Sequence, residues 1–253
     1  MKRFLPVYAC LAYLFLYLPL FALGAFSFNN SKIAVWQGFT LAWYSGVFHN
    51  PALIEGTLNS LIIAVVATVV ATLIGTLMAY AIWKRRVAWL TGSLYLSLLS
   101  PEIVTGISLL VFFQGLFHFL RLQLGIHTVI LAHISFSLAY VVIVILARLR
   151  TFDRSLEEAA LDLGANDWQA FRYVTAPLLL PGIVAAALLC FTVSFDDYVI
   201  TSLVAGVNSE TLPMIIYAMA RKGVSPEVNA LSVMITVGLG VLVLISGRLE
   251  RQK

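Results

Sequence analysis

Charge is what this 253-residue chain has least of: 11% of its residues are Asp, Glu, Lys or Arg, and 61% are hydrophobic. Soluble domains carry charge on roughly a quarter of their residues, so the deficit excludes a water-soluble fold. Cysteine is scarce as well. Cys10 and Cys190 each sit alone in an apolar run with no CxxC, the setting of buried small hydrophobes and not of a disulfide framework or thiolate metal site. The chain lacks HExxH, GxSxG, GxGxxG and GxxxxGK[ST] segments, which removes the zinc-protease, nucleophile-elbow and phosphate-loop chemistries those motifs carry. Its histidines, His49, His118, His127 and His133, are too scattered to share a helix face; no metal site is expected of them, and each is assigned an interfacial or hydrogen-bonded packing role. The net charge of +4 is accounted for by basic residues flanking the apolar runs and implies no nucleic-acid partner.

What is present instead is a series of apolar windows long enough to cross a hydrocarbon core of about 30 Å. They predict an all-α polytopic membrane protein with spans near 5–27, 57–83, 90–119, 126–147, 177–204 and 229–248, all within one transmembrane domain covering 1–253. The first window, with Lys2-Arg3 before it and Ala22-Leu23-Gly24 near its end, has the ingredients of a signal peptide. Its apolar run exceeds the roughly 7–15 residues of a signal h-region, so a retained anchor is predicted. Lys2, Arg3, Lys84, Arg85, Arg86, Arg148, Arg150, Arg154, Arg248, Arg251 and Lys253 flank the runs on one side, against Lys32, Arg121 and the Arg221-Lys222 pair on the other. The excess of positive charge on cytoplasmic segments then puts both termini in the cytoplasm.

The scarce charge is concentrated in the loop 148–177. Arg148, Arg150, Asp153, Arg154, Glu157, Glu158, Asp162, Asp167 and Arg172 all fall there. Phe152, Leu156, Ala159 with Ala160, and Leu163 recur at helical spacing, which predicts an amphipathic helix. Ser155-Leu156-Glu157-Glu158 reads as its capping box and Gly164 as its left-handed stop. Asn166-Asp167-Trp168-Gln169 reads as a second cap, opening a helix through about Thr175 that Pro177 ends or kinks. Such a helix-turn-helix can lie on a membrane surface or grip a protein. The acidic central turns favour protein, because surface helices favour Lys and Arg. The small Ala159-Ala160 pair and bare Gly164 would let a partner approach the backbone closely.

Ionisable groups at membrane depth are costly, roughly 2.5–3.5 kcal/mol on insertion scales, and mark function by default. Glu102, after Pro101, is one; Asp196 and Asp197, between Phe195 and Tyr198, are two more. Consecutive helix positions diverge by about 100°, so one of the aspartates faces a pathway while the other caps, pairs or meets water. Carboxylates beside the Phe195 and Tyr198 rings suit a cationic, partly aliphatic solute. The reading in which these acids sit at an outer mouth and pair with Arg221 or Lys222 stays open.

Glu158-Ala159-Ala160, Gly164 and Val174-Thr175-Ala176-Pro177 resemble the EAA-x3-G-x9-I-x-LP loop of permease subunits of binding-protein-dependent ABC importers, with Val174 for Ile and Ala176 for Leu. Ser100-Pro101-Glu102-Ile103-Val104, Ser194-Phe195-Asp196-Asp197-Tyr198 and the run from Gly223 through Pro226-Glu227 to Leu231 resemble the second permease of spermidine/putrescine importers, a subfamily that often has Asp in place of Glu102. The resemblance implies the type I importer permease fold in a bacterial inner membrane. It makes 148–177 a cytoplasmic coupling loop whose Glu158, Ala159, Ala160, Asp162, Leu163 and Gly164 engage a groove of an ATPase subunit. It further implies a second permease, two ATPase subunits that bind ATP and Mg, and an external solute-binding protein near 206–227. The chain itself would hold no cofactor and catalyse nothing. The competing expectation is a stand-alone secondary transporter coupled through Glu102 and Asp197, although no inverted repeat is visible.

Overall fold

Helix follows helix along nearly all the described residues of this computed structural model, 4–31, 35–85, 87–120, 123–221, 223 and 226–250. In chain order they are α1 (Phe4–Phe26), α2 (Ala42–Val47), α3 (Pro51–Arg85), α4 (Ala88–Leu99), α5 (Glu102–Leu120), α6 (Ile126–Leu149), α7 (Arg154–Asp162), α8 (Asp167–Ala170), a π turn (Phe171–Thr175), α9 (Ala176–Asp196), α10 (Val199–Val204), α11 (Leu212–Arg221) and α12 (Pro226–Glu250). Among the described residues the only extended pairing is an isolated bridge between Asn29 and Phe39. Of the residues named above, Lys2, Arg3, Lys32, Arg86, Arg121, Lys222, Val224, Ser225, Arg251 and Lys253 lie outside those described, as do the side chains of His118 and Arg248.

Among the described residues four helices are long and apolar enough to cross a membrane: Pro6–Phe26, Pro51–Arg85, Ile126–Leu149 and the continuous Asp167–Asp196. A fifth is added if α4 and α5, bent by 104° at their junction, form one broken span. The predicted six are thus four or five among the described residues; the remaining expectation, 229–248, falls on α12, which is not among those spans. Its side chains beyond residue 238 lie outside the described residues.

Three departures from the expected spans have local causes. The straight helix predicted over 90–119 breaks at Pro101. That ring pushes Ser100 out of the helical region, to φ −67°, ψ 132°, and donates no amide. The span predicted over 177–204 ends at Asp196, because Asp197 is extended at ψ 125°, and α10 starts afresh at Val199. Pro177, expected to end or kink the chain, does not interrupt it. The backbone widens into the π turn just before it, the Ala176 amide donating to the Phe171 carbonyl five residues back. This accommodates a ring that would clash with the carbonyl four residues earlier in a regular α-helix.

Residues Gly56–Met214 form one compact unit; Met1–Glu55 with Ile215–Lys253 form another. In the first, Val141, Val142, Ile145 and Leu149 of α6 pack with Ala71, Ala79 and Ile82 of α3 and with Leu179, Ala186 and Cys190 of α9. A Cβ on Gly75 would stand 2.6 Å from a Val141 methyl, so α3 and α6 touch through a glycine, the small-residue packing that membrane helices favour. A second cluster joins Ile63, Phe113, Val129, Ala132, Ile200 and Val204. In the other unit the Trp43 indole donates to the Asn29 carbonyl at 2.8 Å and the Ser27 and Tyr44 hydroxyls meet at 2.8 Å. Large apolar side chains on α1, α3 and α5 are exposed, Phe15 among them at 79%. An outward apolar surface of that extent suits a lipid surround.

Candidate functional site

The loop after α6 is built inside out. Asp153 caps α7, its carboxylate accepting from the Ser155 amide at 3.0 Å; that bond holds the carboxyl below the usual aspartate range. The helix therefore starts before Ser155, and the capping box expected there does not form. At the other end Gly164 takes φ +92°, and the Ala165 and Gly164 amides donate to the Ala160 and Leu161 carbonyls at 3.0 and 2.9 Å. This pair of bonds is the Schellman closure. Asn166 and Gln169 exchange reciprocal 2.9 Å bonds between side chain and amide, a capping box that opens α8.

Two polar residues of α7, Arg154 and Glu157, face the bundle. Glu157 is 5% exposed, and its carboxylate accepts from the Tyr80 hydroxyl at 2.7 Å, the Lys84 ammonium at 2.9 Å and the Thr175 hydroxyl at 3.3 Å. Burial opposes ionisation of this carboxyl, but the bonds from Lys84 and Tyr80 outweigh it and hold it below the ordinary glutamate range. Arg154 lies over the Trp83 ring at 4.3 Å and donates to the Trp83 carbonyl at 2.9 Å. The predicted apolar stripe is divided: Phe152 packs edge-on against Trp83 at 5.7 Å between ring centroids, while most of the rest points away. Leu156 and Leu163 are exposed, at 46% and 90%; Glu158, Ala159, Asp162 and Gly164 are exposed too, and Ala160 is half-buried.

At the elbow between α4 and α5 is a cavity of about 640 Å³, lined by Ser100, Pro101, Glu102, Tyr140, Asp196, Asp197 and Tyr198 among others. The fold thus gathers Glu102, Asp196, Asp197 and Tyr198 from segments nearly a hundred residues apart. Phe195 is not among the lining residues; it stacks on Phe191 at 5.8 Å between ring centroids. The two aspartates differ in what they meet. Asp196 is exposed, whereas the Asp197 side chain is 7% exposed and accepts from the Thr201 amide and hydroxyl, each at 2.7 Å, at the start of α10. His133, 1% exposed, reaches Ser194 at 2.7 Å and Thr201 at 2.9 Å through its two ring nitrogens, with Asp197 3.5 Å from the second. It spans the break between α9 and α10. Arg221, a proposed partner of the acids, lies over the Tyr217 ring at 4.8 Å.

Sequence reasoning missed Tyr80, Lys84 and Glu157 as a group, and His133 as the clamp on Asp197. Lys84 carried a signal, being a lysine one turn after an aromatic at a span end, but its acidic partners lie 73 and 83 residues away.

Residues 71–251 match the profile of a family described as binding-protein-dependent transport system inner membrane component. The chain is 42% identical over 245 residues to the spermidine/putrescine transport system permease protein PotC of Escherichia coli (strain K12), an alignment covering 95% of this chain and 91% of that protein. It is 38% identical over 254 residues to the putrescine transport system permease protein PotI of the same strain, covering 96% and 90%. Among solved structures, a bacterial ABC transporter that imports the acidic polysaccharide alginate superimposes with a TM-score of 0.70 at 17% identity, over 98% of this chain and 96% of that one. The alginate transporter in complex with its periplasmic protein gives 0.73 at 18%, over 96% and 93%.

Proposed function

The chain belongs to the family of binding-protein-dependent transport system inner membrane components, and from that membership we propose that it is one of two permease subunits of an ATP-driven polyamine importer. It forms half of the translocation path. Both termini and the loop 148–177 face the cytoplasm, and two ATPase subunits there bind and hydrolyse ATP with Mg, so this chain contributes no catalytic group. An external solute-binding protein delivers the solute, and residues 206–227 lie near its docking side.

The observation that carries this reading is the inverted α7. A helix that turns Glu157 and Arg154 inward and leaves Leu156, Ala159 and Leu163 bare exposes apolar area that burial in a partner's groove would stabilise. The small Ala159 and Gly164 admit that partner close to the backbone. Glu158 and Asp162 remain outside for directional contacts. Polyamine as the solute is supported by the relatives' names together with the cavity chemistry. Two carboxylates, Glu102 and Asp196, with the Tyr140 and Tyr198 rings suit a chain of ammonium and methylene groups.

The test is spermidine uptake by the assembled importer in proteoliposomes. Uptake is expected to require internal ATP and to be indifferent to proton and sodium gradients. Gly164→Trp, which puts a large ring on the docking face and a side chain at φ +92°, is expected to abolish uptake while leaving membrane insertion intact. Unchanged uptake in that variant overturns the docking role of α7.

A further inference from the structure

We propose that Lys84 is a positioning residue: one ammonium group that fastens both arms of the loop to α3, so that a push on α7 moves the helix bundle instead of swinging the loop. The inference rests on the coupling role proposed above for the loop.

The geometry is a hub. Lys84 Nζ stands 2.9 Å from Glu157 Oε1 and 2.6 Å from Asp167 Oδ1, and those carboxylates belong to α7 and α8, on opposite sides of the Gly164 turn. Tyr80, one helical turn before Lys84, donates to the same Glu157 oxygen. The second Glu157 oxygen accepts from Thr175, in the π turn that leads into α9. A single buried carboxylate therefore ties α3, α7 and the root of α9 together, and Lys84 adds α8. Besides this tie the loop meets the bundle at the first residue of α7, where Arg154 stacks on Trp83 and donates to its carbonyl, through Phe152 on the edge of Trp83, and through the aromatic contact of Tyr80 with Phe171; Glu157 is the attachment further along α7. The stretch 150–153, the Gly164 turn and the π turn are the places where the loop backbone departs from regular α-helix, and such departures are where helices bend.

The two carboxylates on Lys84 are not equivalent. The Asp167 side chain is 75% exposed and that of Glu157 is 6% exposed. Water can replace the ammonium at Asp167 but not at Glu157, so loss of Lys84 strands a buried charge. The tie is thus expected to depend on the Lys84–Glu157 half, with Asp167 setting the angle of α8.

The assembled importer is the system for the test, with ATP hydrolysis and spermidine uptake measured on the same proteoliposomes. Lys84→Met and the milder Glu157→Gln are expected to lower spermidine moved per ATP hydrolysed by roughly tenfold, within the usual range of coupling between sites, while ATP hydrolysis continues. The conservative Lys84→Arg, which keeps a cation for both carboxylates, is expected to retain most of the ratio. A role in folding alone would lower hydrolysis and uptake together and leave their ratio unchanged, which overturns the proposal. Hydrogen exchange on the permease pair without ATPase subunits gives an independent reading: α7 amides are expected to exchange faster in Lys84→Met, and unaltered protection overturns the tie. If wild-type uptake needs no ATP, the importer reading fails while the exchange measurement still decides on Lys84.

Discussion

The loop and the cavity each hold a pair of adjacent acids, Glu157-Glu158 and Asp196-Asp197, and each pair is divided the same way. One member is buried and hydrogen-bonded; the other is left outside. In α7 the division is forced because neighbouring positions diverge along a helix; at the cavity Asp197 leaves α9 for extended backbone and turns back onto α10. What the inward acid meets is not the same. Glu157 meets a full cation, Lys84, so its side of the loop is close to electrically closed. Asp197 meets amides, a hydroxyl and an imidazole, groups that stabilise a carboxylate by dipoles and leave the surroundings without a fixed positive charge. The loop is neutralised to hold still, and the cavity keeps a negative field for a cation to enter.

Removing the inward acids should separate these two designs. Asp197→Ala is expected to produce the largest stability loss, about 3 kcal/mol, because buried amides of α10 and the His133 ring lose their acceptor together; unfolding in mixed detergent micelles measures it. Asp197→Asn keeps an acceptor and should recover most of that. Neutralising the outward acids of the cavity, Glu102→Gln with Asp196→Asn, should leave unfolding unchanged and raise the KM for spermidine by roughly a hundredfold, the equivalent of about 3 kcal/mol of binding. Wild-type kinetics for this double variant would show that the cation path lies elsewhere. At the loop the contrast should repeat on a smaller scale. Glu158→Ala should stay within about 0.5 kcal/mol of the parent in stability, while uptake falls.

The smallest effect is on pH. Because the Glu157 carboxyl is held below its ordinary value, its contribution is complete above about 4.3 and is lost as the pH falls through the lower folded value. Protection of α7 amides in hydrogen exchange should therefore persist down to about pH 4 and decline below it. A decline that begins near neutrality would assign the attachment to another group.

Much of this was legible in the residues because it depends on local chemistry. The apolar windows placed the four helices long enough to span and the broken pair α4 and α5, Gly164 marked its turn, Asn166 and Gln169 their cap, and Glu102 was singled out by its cost in an apolar run. The illegible parts depend on partners far off in the chain. The loop stripe was visible, but which side of α7 turns inward was not, since Glu157 is drawn in by Lys84 and Tyr80 on α3. A preference for Ser155 as cap overlooked Asp153, two residues earlier and a stronger acceptor once ionised. Asp197 could be told from Asp196 only with His133 and Thr201 in place. The 104° bend was not legible, because a proline states that amide bonding is lost and not the angle that results.

The π turn at Phe171–Thr175 also works as an index mark. Each residue of an α-helix advances the azimuth by about 100° and the axis by about 1.5 Å, and α9 runs without a break from that turn to Asp196. The phase between the face that meets Glu157 through Thr175 and the face that carries Asp196 into the cavity is therefore written in residue count. Deleting one residue there, so that the turn relaxes to regular α-helix, would leave α7 and its cap untouched. Because a π turn spends about one residue more than an α turn on each revolution, this would leave Asp196 near its present azimuth, whereas deleting a residue from the regular α-helix beyond the turn would rotate it by about a quarter turn. The residue count of α9 beyond the turn thus keeps the two acid pairs in register.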